Sequence, residues 1–167
     1  AVLRTIPAAH VGVVCSVCFS PTDSRILASA GYKSRIRLWD LDSGEKIRSI
    51  AGRSFAVFSP DARAIASASP NTRDVHLFDA ESGALRFRMV GHASHVLCAS
   101  FSVDDGSKLA SGSMDGTCKV WDSSTGALFR STNVRSRICS VAWARDAVRD
   151  EKCAAFAMGQ HPRLGAG

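Results

Sequence analysis

No run of apolar residues in this 167-residue chain approaches the length of a membrane-spanning helix, which takes about eighteen in succession. Ala1 to His10 also lacks the basic start and apolar stretch of a secretory signal, so a cytoplasmic or nuclear setting is expected, with no membrane partner. Clustered metal ligands are missing too. Of the six cysteines (Cys15, Cys18, Cys98, Cys118, Cys139 and Cys153) only the first two are neighbours. They lie in a Val-rich run that reads as a strand, where residues three apart point to opposite faces and cannot converge on one metal. The cysteines are therefore read as small buried side chains. Catalytic signatures are equally scarce. The chain has no G-x-S-x-G elbow, no nucleotide-binding lysine loop and no dinucleotide glycine pattern. Nucleophilic hydrolysis and phosphate-loop chemistry thus lose their usual carriers, and no cofactor or metal is expected.

What is present is ordinary globular material. The hydrophobic fraction is 46% and the charged fraction 22%, which excludes disordered, collagenous and membrane classes. A chain of this size buries about 68–70% of its unfolded surface, enough for a stable core. The net charge of +6, from 21 basic and 15 acidic residues, favours acidic partners without identifying nucleic acid.

The dominant signal is self-similarity. "RILASAGYKSRIRLWDLDSGEKIRSI" (Arg25 to Ile50) aligns with "KLASGSMDGTCKVWDSSTGALFRST" (Lys108 to Thr132), and the divergent "AIASASPNTRDVHLFDAESGALRFRMV" (Ala64 to Val90) lies between them. The anchors Trp39, Phe78 and Trp121 are 39 and 43 residues apart, and a second series, Phe19, Phe58, Phe101 and Trp143, is spaced by 39, 43 and 42. Each period breaks into four short runs rich in β-branched, aromatic and small residues, separated by Asp, Gly, Ser and Asn. These turn residues tolerate the tight or left-handed backbone between adjacent strands. Each unit is thus expected to be a four-stranded antiparallel meander.

A period of this length with four strands and a terminal Trp-Asp pair resembles the WD-repeat family, and the likeness runs over nearly the whole chain. It is carried by "LWD", "LFD" and "VWD" in the third runs, "GH" at Gly91-His92, and "SPTD" and "SPDA" after first runs. The resemblance implies an all-β fold, a partial WD-repeat β-propeller of about three and a half blades. Residues 1–9 would be the fourth strand of a preceding blade. Blades would follow at 10–51, 52–91 (divergent) and 92–134, then the first half of another at 135–158. Residues 159–167, containing His161 and Arg163, would form a loop or exit segment. A ring of seven blades takes about 28 strands, so the sequence reads as a fragment. Its open blade faces and unpaired edges are expected to associate with one another or with missing blades.

The family also implies a hydrogen-bonded chain within a blade, made of a loop His, a Ser on the second strand, an Asp in the next turn and the Trp. By motif the third period supplies His92, Ser111 or Ser113, Asp115 and Trp121. The first keeps His10, Ser29 and Trp39 but has Lys33 in place of the Asp. The second has Phe78 and a shorter loop without the His. The first two blades are therefore expected to rely on apolar packing, with the second the looser. A serine-hydrolase triad made of His92, Ser111 and Asp115 matches in residue types, but the repeat already accounts for their spacing.

Family members bind ligands on the face built from the loops between blades and the second-to-third turns. Here those segments hold Lys33, Arg35, Arg53, Arg73, His95, Arg135 and Arg137. Guanidinium groups pair bidentately with carboxylate and phosphate, so acidic or phosphorylated peptides of protein partners are the expected ligands. The expected function is a non-enzymatic protein-protein interaction scaffold. The alternatives are a structural subunit or a substrate-recognition part of a larger complex such as a ubiquitin ligase. Against the latter, the Arg that follows Trp-Asp by two residues in members docking on the cullin-4 adaptor is replaced by Asp42 and Ser124. A nucleic-acid-associated propeller is a further alternative. It is opposed by the scatter of Lys46, Arg48, Arg86, Arg88 and Arg130 over fourth strands.

Overall fold

The computed structural model describes residues 5–6, 10, 12–32, 34–69, 71, 73–144 and 152–157. Among them every regular element is a β-strand. The first sheet comprises β1 (Val14–Phe19), β2 (Ile26–Gly31), β3 (Ser34–Asp40) and β4 (Lys46–Ile50), adjacent in that order. The second comprises β5 (Arg53–Phe58), β6 (Ala64–Ala68), β7 (Val75–Asp79) and β8 (Leu85–Met89). The third comprises β9 (Val96–Phe101), β10 (Lys108–Ser113), β11 (Thr117–Asp122) and β12 (Leu128–Asn133). A final pair joins β13 (Ile138–Ala144) to β14 (Lys152–Ala157). Each sheet is an antiparallel meander, so the chain forms part of a β-propeller, one blade after another.

The two anchor series have the same spacing because they occupy one row of each sheet. Phe19 pairs with Leu27 and Leu27 with Trp39. Phe58, Ile65 and Phe78 repeat the row, as do Phe101, Leu109 and Trp121. Immediately beyond it the third and fourth strands shift register in all three blades, a recurring bulge that adds twist.

This row faces the preceding blade. Phe58, Ile65 and Phe78 pack with Ala28, Ala30, Ile36, Leu38 and Ile50 of the first blade. Phe101, Leu109 and Trp121 pack with Phe55, Ala66, Val75, Leu77 and Met89 of the second. A smaller cluster joins Ala110, Cys118 and Val120 to Ile138 and Val141. Trp121 and Phe78 are each only 1% exposed, and a large apolar side chain buried to this degree is worth about 1.5–3 kcal/mol. A sheet one layer thick cannot shield both its faces, so burial comes from stacking neighbours.

The Asp of each Trp-Asp pair closes the turn into the fourth strand. Asp122 Oδ1 accepts the backbone N–H of Ser124 and of Thr125, and Asp40 Oδ1 likewise accepts those of Asp42 and Ser43. The turn ends on a glycine at φ 76°, 74° and 73° in the three blades (Gly44, Gly83 and Gly126), a conformation costly for any residue with a Cβ.

Two expectations are corrected here. The second blade is not marked out as loose: all of β6 is buried, because this blade is covered on one face by the first and on the other by the third. Burial of the cysteines also holds unevenly, since Cys118 is buried but Cys15 is exposed on β1. Of the expected leading strand, Thr5 and Ile6 belong to no strand, and residues 1–4 and 7–9 lie outside the described residues, as do Lys33 and the segment 159–167.

Candidate functional site

The polar residues of the third blade form one connected chain whose donors can be ordered. Indole is a donor only, so Trp121 Nε1–H donates to Ser111 Oγ at 2.8 Å. The Ser111 hydroxyl then donates to His92 Nε2 at 2.7 Å, which leaves the ring proton on Nδ1. That N–H is shared between Asp115 Oδ2 at 3.2 Å and Thr117 Oγ1 at 3.0 Å. Asp115 also accepts the backbone N–H of Ala93 at 2.7 Å, the N–H of Thr117 at 2.7 Å and its hydroxyl at 2.6 Å. Burial pushes the Asp115 carboxyl up, but these hydrogen bonds and the neighbouring His92 outweigh it and hold the group well below its ordinary range. Burial lowers the pKa of His92, against the opposing pull of Asp115.

Of the two serines offered by the motif, Ser111 is the member of this chain. Ser113 donates to the Ser94 carbonyl at 3.2 Å and so ties the turn to the entry loop. Ser111 is fully buried, and its hydroxyl is held between indole and imidazole.

The first blade departs from expectation. Trp39 Nε1–H donates to Ser29 Oγ at 2.8 Å, Ser29 meets His10 Nε2 at 2.7 Å, and His10 Nδ1 contacts Ser34 Oγ. The chain is retained, ending on a neutral hydroxyl where the third blade has a carboxylate, so apolar packing is not its sole support. The group facing His10 is thus one residue further along the chain than Lys33, the position that matches Asp115 by spacing. Burial lowers the pKa of His10, helped by the charge of Arg37 and opposed by Ser29.

In the second blade the shortened loop brings Gly52 against the sheet. A Cβ there would meet Ser67 Oγ at 2.5 Å and Ile36 Cδ1 at 2.6 Å. Ser67, with no histidine to serve, donates to the Arg53 carbonyl at 2.9 Å. The β5–β6 register shifts between Arg53 and Val57, and Ser54 sits at φ 69°. Arg53 consequently pairs with Ala68, the place taken by Ser16 opposite Ala30 and by Cys98 opposite Gly112 in the flanking blades.

The basic residues singled out on the loops divide into separate groups. Arg53, Arg73 and His95 line one open cleft of about 510 Å³ where the second blade meets the third, together with Asn71, Asp74 and His92. Arg53 is half-buried, whereas Arg73 and His95 are exposed. Asp74 is 5% exposed and accepts Arg88 at 2.7 Å. Arg35 lies on β3, not in a turn, and reaches the Ser49 carbonyl on β4 at 3.5 Å. Arg135 and Arg137 are exposed in the link to β13, beside Gly116 of the 115–116 turn. Asn71 and Asp74 were missed because they follow the second strand of a blade whose motif has degenerated.

On the fourth strands several cations are already engaged. Arg86 is paired with Asp79, Arg88 with Asp74, and Arg48 donates to the Ser82 carbonyl at 3.1 Å. Partial burial pushes the half-buried thiols of Cys98 and Cys18 up, to about 12 and about 11. Among the described residues no group of His, Cys, Asp and Glu is placed to hold a metal ion, and no helix is long and apolar enough to cross a membrane.

Stacked four-stranded blades, an anchor row repeated in each and a His-Ser-Trp chain in two of them define a repeat propeller. The model of the family described as WD domain, G-beta repeat, matches residues 2–40 and 83–122. The chain belongs to the WD-repeat family. It is 37% identical over 114 residues to the target of rapamycin complex subunit wat1 of Schizosaccharomyces pombe, covering 64% of this chain and 35% of that protein. With the nuclear distribution protein PAC1 of Arthroderma benhamiae it shares 31% identity over 162 residues, covering 86% and 34%. The chain thus spans about a third of the length of these curated relatives. Among solved structures, that of U3-55K superposes with a TM-score of 0.74 at 19% identity, covering 83% of this chain and 44% of the other. The RRP9 WD40 repeats give 0.72 at 21%, covering 80% and 42%. At these identities the likeness speaks for the fold.

Proposed function

We propose that this chain is a protein-interaction scaffold without catalytic activity, and that its loop face binds acidic or phosphorylated segments of partner proteins. One observation carries the reading. The residues with catalytic potential, His92, Ser111 and Asp115, spend their hydrogen bonds on one another and on Trp121. The side chains of Arg53, Arg73 and His95, by contrast, line a cleft with no hydrogen-bonding or ionic partner among the described residues. Relatives named as a complex subunit and as a guanine nucleotide-binding protein beta subunit support a place within an assembly. Whether that place is structural or substrate-presenting is a matter of the partner, since the fold serves both. Nucleic acid is disfavoured because Arg48, Arg86 and Arg88 are engaged within the protein.

The test is partner capture by the wild-type chain and by a variant carrying Arg53→Ala, Arg73→Ala and His95→Ala together. Loss of captured proteins is expected; an unchanged set would defeat the reading.

A further inference from the structure

We infer that the cleft between the second and third blades is a receptor for one phosphoryl group, carried on a phosphorylated serine or threonine of a partner peptide. This deepens the proposed scaffold function and rests on it. The first observation is the cleft's unmatched charge. Two guanidinium groups, Arg53 and Arg73, and the His95 imidazole line it without an acceptor among the described residues. Four cations elsewhere hold carboxylates: Arg25 with Asp23, Arg86 with Asp79, Arg88 with Asp74 and Lys108 with Asp122. Asp74, the one carboxylate lining the cleft, is taken by Arg88 at 2.7 Å and nearly buried, so its charge is offset locally.

The second observation is how Arg53 is placed. It begins a strand at a register shift, next to Ser54 at φ 69°, and takes a pairing position where the flanking blades have Ser16 and Cys98. A non-glycine residue in left-handed conformation is strained, and such strain gathers at functional sites. A bulge likewise serves to re-aim a side chain. The shortened loop that costs this blade its histidine thus puts a half-buried guanidinium at the blade boundary.

The donor set points to phosphate over carboxylate. Arg53 and Arg73 each offer a two-pronged fork, His95 a ring N–H and Asn71 a carboxamide NH₂, more donors than the two oxygens of a carboxylate use. A phosphate monoester presents three free oxygens and close to two negative charges. His92 contributes none of these, because its Nε2 accepts from Ser111 and its Nδ1–H is committed to Asp115 and Thr117.

The experiment is fluorescence anisotropy with labelled degenerate peptide pools, centred on phosphoserine or phosphothreonine, on the unmodified residue, or on glutamate. The wild-type chain is expected to bind the phosphorylated pools at least tenfold more tightly than the other two. Arg53→Ala and Arg73→Ala should each remove most of that preference. Arg53→Lys, which keeps charge but loses the fork, should leave it reduced. Arg130→Ala, on exposed β12 and outside the cleft, should leave it unchanged. Near-ultraviolet circular dichroism from Trp39 and Trp121 verifies folding, and Arg73→Ala, at an exposed position, keeps the test decisive if Arg53→Ala fails to fold. Equal binding of glutamate and phosphorylated pools would overturn the phosphoryl assignment while leaving the scaffold reading to its own capture test. Phosphopeptide binding insensitive to Arg53 and Arg73 would overturn the cleft. An oligothymidylate that binds as tightly as the phosphorylated pools, and is weakened by the same substitutions, would overturn the peptide in favour of a nucleic-acid backbone.

Discussion

Replacing Asp115 with alanine isolates what a carboxylate adds to the blade's polar chain. Four donors lose their acceptor: His92 Nδ1–H, the Ala93 N–H, and the N–H and hydroxyl of Thr117. They are not equally affected. Ala93 is exposed and can turn to water, and His92 keeps Thr117 Oγ1 at 3.0 Å. The Thr117 N–H, in a part-buried turn, has no such substitute. At about 1–3 kcal/mol for each shielded donor left unpaired, the expected cost is about 2–4 kcal/mol. The comparison is Ser34→Ala, which removes the neutral acceptor facing His10 in the first blade. His10 is only half-buried, so water can replace the hydroxyl and the cost should be about 0.5–1.5 kcal/mol. Urea unfolding followed by tryptophan fluorescence measures both. The Asp115 pKa is depressed on folding, so its contribution is present above the unfolded value of about 3.9 and is lost as pH falls below it. The gap between wild type and Asp115→Ala should therefore hold at neutral pH and narrow in acid. Equal losses for the two variants, or a gap that widens in acid, would refute the account.

His10, His76 and His92 all have lowered pKa values, with burial the main cause in each. Below about pH 6.5 the unfolded chain therefore binds more protons than the folded one, and the urea midpoint should fall between pH 7.5 and 5.5; a rise would count against their burial. Gly52→Ala forces a methyl group into Ser67 and Ile36 and should cost about 1–3 kcal/mol, read as a lowered Tm. Phe78→Ala opens a cavity at a residue 1% exposed and should cost about 3–5 kcal/mol, against the expectation for a loosely packed blade. On β1, Val17 and Phe19 are 61% and 60% exposed. The chain should associate in sedimentation, and Val17→Glu with Phe19→Glu should shift it toward monomer; unchanged association would place the contact elsewhere.

Sequence alone determined the strand order, the turns and the anchor row, because these follow from local periodicity. Phe101 and Trp121 can be matched by counting, since strands in a meander pair with their neighbours in the chain. It also singled out His92, Asp115 and Trp121, with Ser111 or Ser113 as the serine, because their spacing is set within one blade. What depends on loop conformation or on two blades at once was decided only by tertiary structure. Ser34 stands in for the expected acidic residue because loop conformation, not alignment, determines which side chain faces His10. Arg53 begins β5, Arg73 precedes β7 and His95 precedes β9, and they line one cleft only because the second and third blades stack, while Arg35 and Arg137, equally basic in sequence, do not line it. The physical reason is that charge recognition depends on distance and burial across a sheet boundary, and no repeat period encodes either.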